Sequence, residues 1–119
     1  MELTWYGLSC FRLVERKQAT VVTDPYGKTI GFPELKLRAD VITVSHKARG
    51  HSHLSAVSGS KHVLDGPGDY EIGGVFITGI DTFGKKNHGR NVLYVFDMGG
   101  LSVAHLGDLQ HVPEQKEIE

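Results

Sequence analysis

Two glycine pairs set the terms for what this chain can fold into. Gly73-Gly74 lies between Tyr70-Glu71-Ile72 and Val75-Phe76-Ile77-Thr78, and Met98-Gly99-Gly100 separates the run Val92 to Phe96 from Leu101 to Leu106. β-Branched and aromatic residues fit a pleated, half-buried surface. A two-residue glycine link takes positive φ at both central positions, as the primed turns that match strand twist require. Both pairs therefore predict tight β-hairpins. A third hairpin is expected around Glu15-Arg16-Lys17-Gln18, between strands at 11–14 and 19–23. An opening strand at 3–6 places Leu3 and Trp5 on one face and Thr4 and Tyr6 on the other. Asp24-Pro25-Tyr26-Gly27 reads as a turn, because Pro fixes φ and Gly tolerates positive φ. Residues 28–40 read mostly as loop, and Val41 to Val44 as a buried strand ending at Ser45-His46. The one clear helix start is Pro113, followed by Glu114 in the first turn. Helix is scarce.

The chain has 119 residues, enough for one small domain over 1–119 and too few for a second of ordinary size. Its 13 basic and 14 acidic side chains give a net charge of −1, without the basic excess of a phosphate-backbone binder. Nucleic acid is not an expected partner. The apolar runs are too short to span a bilayer, and Met1-Glu2-Leu3-Thr4-Trp5 lacks the basic start of a secretory leader. Cys10 is the single cysteine, so no internal disulfide forms, and a reducing compartment fits. A cytoplasmic location is expected.

Chemistry concentrates in Ser45-His46-Lys47-Ala48-Arg49-Gly50-His51-Ser52-His53, which follows an apolar strand. Loops at strand ends are where sites are commonly built. Three histidines within eight residues can converge on a metal, since imidazole nitrogen suits zinc. On spacing alone a polar surface loop is the commoner reading, with Lys47 and Arg49 repelling a cation. His105-Leu106-Gly107-Asp108 ends another strand, and its glycine lets the backbone turn and present the Asp108 carboxylate; Gly-Asp is also a common turn. His88 lies in the loop segment Lys86-Asn87-His88-Gly89-Arg90. Gly66-Pro67-Gly68-Asp69 lacks the Lys-Ser/Thr of a phosphate loop and reads as a turn. Cys10 falls inside an apolar strand pattern, which favours packing over nucleophilic work.

Five blocks together carry a resemblance. They are Trp5-Tyr6-Gly7, Thr23-Asp24-Pro25-Tyr26, Ala39-Asp40-Val41-Ile42-Thr43-Val44-Ser45-His46, Gly68-Asp69-Tyr70-Glu71-Ile72-Gly73-Gly74 and His105-Leu106-Gly107-Asp108. In this order the chain resembles the metallo-β-lactamase superfamily, in the Zn-dependent hydrolase branch related to L-ascorbate-6-phosphate lactonase. The resemblance implies half of an αβ/βα sandwich: a strand-rich α+β domain of mainly antiparallel or mixed sheet with hairpins and little helix. It also implies a zinc site. The family signature His-x-His-x-Asp-His keeps its first histidine as His46 and its last as His51, but Ala48 and Gly50 stand at the second histidine and the aspartate. Leu8 replaces the histidine of the opening Gly-His-Ala-Cys block, and Gly84 that of a Thr-Phe-His stretch. Asp108 matches the bridging carboxylate, with His105 three residues before it, and His88 matches a Ser-His-Gly-like position.

The resemblance therefore implies a metal set of His46, His51 and Asp108, with His88 and His105 as further candidates and Asp108 as the catalytic group. A catalytic zinc needs about three protein ligands and an open position. Without donors at 48 and 50, one zinc per chain at most is expected, with hydrolysis of a small-molecule substrate impaired or absent. The alternative is a non-catalytic binding or assembly module that keeps the fold. The family runs to roughly twice this length, and half a sandwich leaves apolar surface uncovered. A second copy of the chain, or a C-terminal half, is the expected partner.

Overall fold

The computed structural model describes residues 1–27, 35–45, 54–83 and 90–106. The first sheet is built from β1 (Glu2–Gly7), β2 (Cys10–Val14), β3 (Val21–Thr23), β5 (Val41–Thr43) and β7 (His62–Leu64), in the order β1-β2-β3-β5-β7. β1, β2 and β3 pair antiparallel, whereas β3, β5 and β7 run parallel. Parallel strands are normally covered on both faces, and every residue of β3 and β5 is buried. Val-Val-Thr and Val-Ile-Thr suit that position because they offer apolar, β-branched side chains to both sides. A two-stranded parallel pair, β4 (Leu37–Arg38) with β6 (Val57–Ser58), and a 3₁₀ turn at Leu54–Ala56 lie outside this sheet.

The second sheet is an antiparallel meander of β8 (Gly68–Ile72), β9 (Val75–Phe83), β10 (Arg90–Met98) and β11 (Leu101–His105), in the order β11-β10-β9-β8. Its two tight links are the glycine pairs. Gly73 and Gly74 have φ of 54° and 84°, and Gly99 and Gly100 have 54° and 78°. These are the left-handed conformations of a primed turn. At Gly73 glycine is required twice over, since a Cβ there would come within 2.7 Å of the Ala19 Cβ.

The sheets pack face to face around Leu13, Val21, Val41 and Leu64 from the first and Val75, Ile77, Val92, Tyr94, Phe96 and Met98 from the second. Alternation selects them: Val92, Tyr94, Phe96 and Met98 are spaced by two and so share one face of β10. Burying a side chain of this size contributes about 1.5–3 kcal/mol. A second cluster covers the other face of the first sheet, with Cys10, Val22 and Ile42 packing against Tyr26, Leu35, Ala39, Val44 and Val57. The first sheet is thus the middle layer.

The strand-rich, helix-poor class follows the sequence reading, as do all three hairpins. Three differences stand out. β4 falls inside the stretch read as loop, because Leu37 finds a parallel partner in Val57 far along the chain. β7 was not expected from its short, mixed sequence His62-Val63-Leu64; it forms because β5 offers a free edge. The strand expected at 41–44 ends at Thr43, with the Val44 amide donating to the Leu64 carbonyl at 2.8 Å. The helix start at Pro113 lies outside the described residues. Among the described residues no helix is long and apolar enough to cross a membrane.

Candidate functional site

β3 and β5 run parallel, so their carboxyl ends open on the same side of the sheet, where parallel sheets commonly build their sites. Asp24 directly follows β3, and Ser45 lies just beyond β5. Asp24 is fully buried in a left-handed conformation (φ 39°), which a short polar side chain tolerates better than most residues. Its amide donates to the Thr43 carbonyl at 2.8 Å, which fixes the bend. Its carboxylate then receives two bonds from one residue: the Ser45 amide donates to Oδ1 at 2.7 Å, and the Ser45 hydroxyl donates to Oδ2 at 2.6 Å. Each bond to a buried carboxylate contributes about 1.5–3 kcal/mol. The Ser45 carbonyl accepts from the Val92 amide at 2.7 Å, tying the same residue to the second sheet. Tyr94 reinforces the junction, its hydroxyl lying 3.2 Å from the Val44 carbonyl and 2.9 Å from the Leu64 carbonyl. Ser45 is therefore held from both sheets immediately before His46.

A second tie joins the strand ends of the meander. Asn91 is buried at the start of β10, and its amide group donates to Thr82 Oγ1 at 3.0 Å on β9 and to the Leu106 carbonyl at 2.9 Å beyond β11. The Thr82 hydroxyl donates back to the Asn91 carbonyl at 3.0 Å. Asn91 neighbours Val92, whose amide reaches Ser45, so both ties sit at one end of the sandwich. From this end the chain continues into the segments that carry His46 and His51, His88, and Asp108.

His105 stands between the two sheets at this end, buried, with Nε2 2.8 Å from the Ser9 carbonyl and 3.9 Å from Asp24 Oδ2. A carbonyl only accepts, so Nε2 carries the proton. In this arrangement His105 reaches a metal only through Nδ1. Its ring packs edge-on against Phe11, with centroids 5.9 Å apart. Ser9 also accepts from the Thr23 hydroxyl at 2.9 Å, so one turn carbonyl links β2, β3 and β11.

Cys10 lies in the same region, fully buried. Burial first, and then the charge of Asp24, push its thiol up from 9.0 to about 12. A thiol so disposed stays protonated at neutral pH and is neither nucleophile nor thiolate ligand. The expectation of a packing role is met. Tyr26, also raised by burial and by Cys10, donates its hydroxyl to the Tyr6 carbonyl at 2.8 Å.

Of the residues singled out in the sequence, His105 is placed as above, while His46, His51, His53, His88 and Asp108 lie outside the described residues, as do Ala48, Gly50 and Gly84. Among the described residues, no three His, Cys, Asp or Glu side chains come together to hold a metal. Asp24, Thr82 and Asn91 stand outside the clusters that the sequence offers as a site, and Ser45 opens one of them without being a candidate ligand. Asp24 had a visible signal, an Asp-Pro at a strand end, but that pattern reads first as a turn. Asn91 had none, because its partners are separated from it by nine and fifteen residues.

The sequence profile of the β-lactamase superfamily domain matches residues 2–119. The chain belongs to that superfamily. A UPF0173 metal-dependent hydrolase of Mesorhizobium japonicum is 31% identical to it across 86% of this chain and 45% of its own length. A crystal structure from Thermotoga maritima, described as a Zn-dependent hydrolase of the metallo-β-lactamase superfamily, superposes with a TM-score of 0.76 at 38% identity. It covers 98% of this chain and 54% of its own. The sandwich described above is thus a partial metallo-β-lactamase fold, and the chain spans about half the length of the relatives it matches.

Proposed function

We propose that this chain carries a reduced metal centre of the metal-dependent hydrolase fold, holding one zinc at most and hydrolysing poorly or not at all by itself. The observation that carries the reading is the double hold of Asp24 on Ser45: the chain is braced immediately before His46 in sequence, while positions 48 and 50 hold Ala and Gly. The donors left to the chain are His46, His51 and Asp108, with His88 and His105 behind them. That set suits one ion and falls short of two. A bound zinc would supply a water of lowered pKa and polarise a carbonyl or phosphoryl oxygen. Asp108 is the remaining carboxylate able to take a proton there. Asp24 acts through Ser45 as a positioning residue, fixing where the His46 segment leaves the sheet. Lys47 and Arg49 add positive charge beside the donors and weaken a dication's hold.

The test is metal content together with turnover. Protein purified without chelator is expected to carry no more than one zinc per chain by elemental analysis, and to leave activated phosphodiesters, esters and lactones intact. The double variant Ala48→His with Gly50→Asp is expected to raise zinc stoichiometry. Two zinc ions per wild-type chain, or steady turnover by it, would overturn the reading. A second reading, a binding module that has kept the fold alone, is favoured by the same Ala48 and Gly50. It predicts no zinc at all and no gain from the double variant.

A further inference from the structure

The parallel strands have a second end, away from Asp24 and Ser45. Val21, Val41 and His62 are in register at the starts of β3, β5 and β7, so the residues just before them, Thr20, Asp40 and Lys61, form a row. Their backbone ties them down. The Asp40 and Val41 amides donate to the Thr20 carbonyl at 2.9 and 3.1 Å, and the Lys61 amide donates to the Asp40 carbonyl at 3.1 Å. The second sheet reaches the same place, where the Ala19 amide donates to the Gly73 carbonyl at 2.9 Å and Gln18 Nε2 to the Gly74 carbonyl at 3.2 Å. An open cavity of about 360 Å³ lies there, bordered by Lys17, Gln18, Asp40, Lys61, His62 and Ile72. Small-molecule sites span about 300–1,000 Å³.

The charge around this cavity is unbalanced. Lys17 and Lys61 bring two ammonium groups and His62 an imidazole, although the whole chain carries −1. Among the described residues neither lysine makes an ion pair. Asp40 is the carboxylate that borders the cavity, and its Oδ2 accepts from the Thr20 amide at 2.9 Å. Two like charges left unneutralised repel each other, and a cleft with an excess of one sign draws in the other. Flexible lysine stems let both ammonium groups close on one anion. Buried Ala19 and half-buried Ile72 add an apolar wall beside them.

We propose that this cavity binds a small phosphate-bearing molecule, with the phosphate between Lys17 and Lys61, His62 as a further donor, and the organic part against Ala19 and Ile72. A phosphate monoester carries about −1.5 to −2 at neutral pH and so answers both ammonium groups, whereas a carboxylate answers only one. Lysine serves such sites as a point charge. The site draws on both sheets through the Ala19–Gly73 tie, and it lies at the opposite end of β3 and β5 from Asp24 and Ser45. It is therefore independent of any metal held there.

Isothermal titration calorimetry with inorganic phosphate, and with acetate at the same ionic strength, tests the proposal. Phosphate is expected to bind saturably, and acetate about tenfold more weakly or worse. Lys17→Gln and Lys61→Gln are each expected to weaken phosphate by about tenfold. Their far-UV circular dichroism spectra should not change, since both side chains are exposed. Asp40→Asn keeps an acceptor for the Thr20 amide and removes the opposing charge, so it is expected to tighten phosphate binding. Lys36→Gln, at an exposed lysine outside the cavity, is expected to change nothing. A wild type that takes up no phosphate saturably would overturn the proposal. So would binding undiminished in both Lys17→Gln and Lys61→Gln, binding weakened as much by Lys36→Gln, or acetate held as tightly as phosphate.

Discussion

Asp24 concentrates more of the site's organisation than any other described side chain. Replacing it by Ala leaves the Ser45 amide and hydroxyl buried without their acceptor, at about 1–3 kcal/mol for each group. Asn keeps an acceptor for the amide and tolerates the left-handed backbone. Asp24→Ala is therefore expected to lose about 2–6 kcal/mol in urea unfolding, and Asp24→Asn clearly less. Equal losses would show that the charge, and not the bonding pattern, holds Ser45. Cys10 makes a separate prediction through pH. The unfolded thiol ionises near 9.0, whereas the folded one holds its proton to about 12. Between those values the folded state binds the extra proton, so stability falls as pH rises, by about 1.4 kcal/mol per unit where the difference is complete. Comparing urea midpoints of the wild type and Cys10→Ala across this range isolates the contribution of the thiol. The wild type should decline more steeply, and parallel declines would refute the assignment.

The hairpins were legible because their signal is local: a glycine pair between β-formers dictates a turn whatever the rest of the chain does. The same turns differ in what surrounds them. A Cβ at Gly73 would meet Ala19 at 2.7 Å, whereas at Gly100 nothing lies within 4 Å. Gly100→Ala should cost only the left-handed strain, about 1–2 kcal/mol. Gly73→Ala adds a steric overlap of about 1–3 kcal/mol, so thermal unfolding should rank it well below Gly100→Ala. Similar melting temperatures would mean that Ala19 yields. Elements made by distant partners were illegible for the converse reason. β7 and β4 are three and two residues long, and each exists through a parallel neighbour about twenty residues away in sequence. The Asn91 tie is of the same kind, since an asparagine at a strand start carries no mark of the backbone it will bind. The histidine-rich segment after β5 was readable as chemistry; the brace that positions it was not.

At the scale of the whole molecule, the two sheets share one core, with Leu13, Val21, Val41 and Leu64 of the first facing Val75, Ile77, Val92, Tyr94, Phe96 and Met98 of the second. Neither sheet keeps its apolar face covered without the other, so the two are expected to unfold together in a single cooperative transition. Phe96 is fully buried at the centre of that contact. Phe96→Ala is expected to cost about 3–5 kcal/mol and to lower the urea midpoint reported by far-UV circular dichroism and by tryptophan fluorescence at Trp5 equally. Because Trp5 lies in the first sheet and Phe96 in the second, a Trp5 midpoint left unmoved by the substitution would show that the sheets fold as separate units.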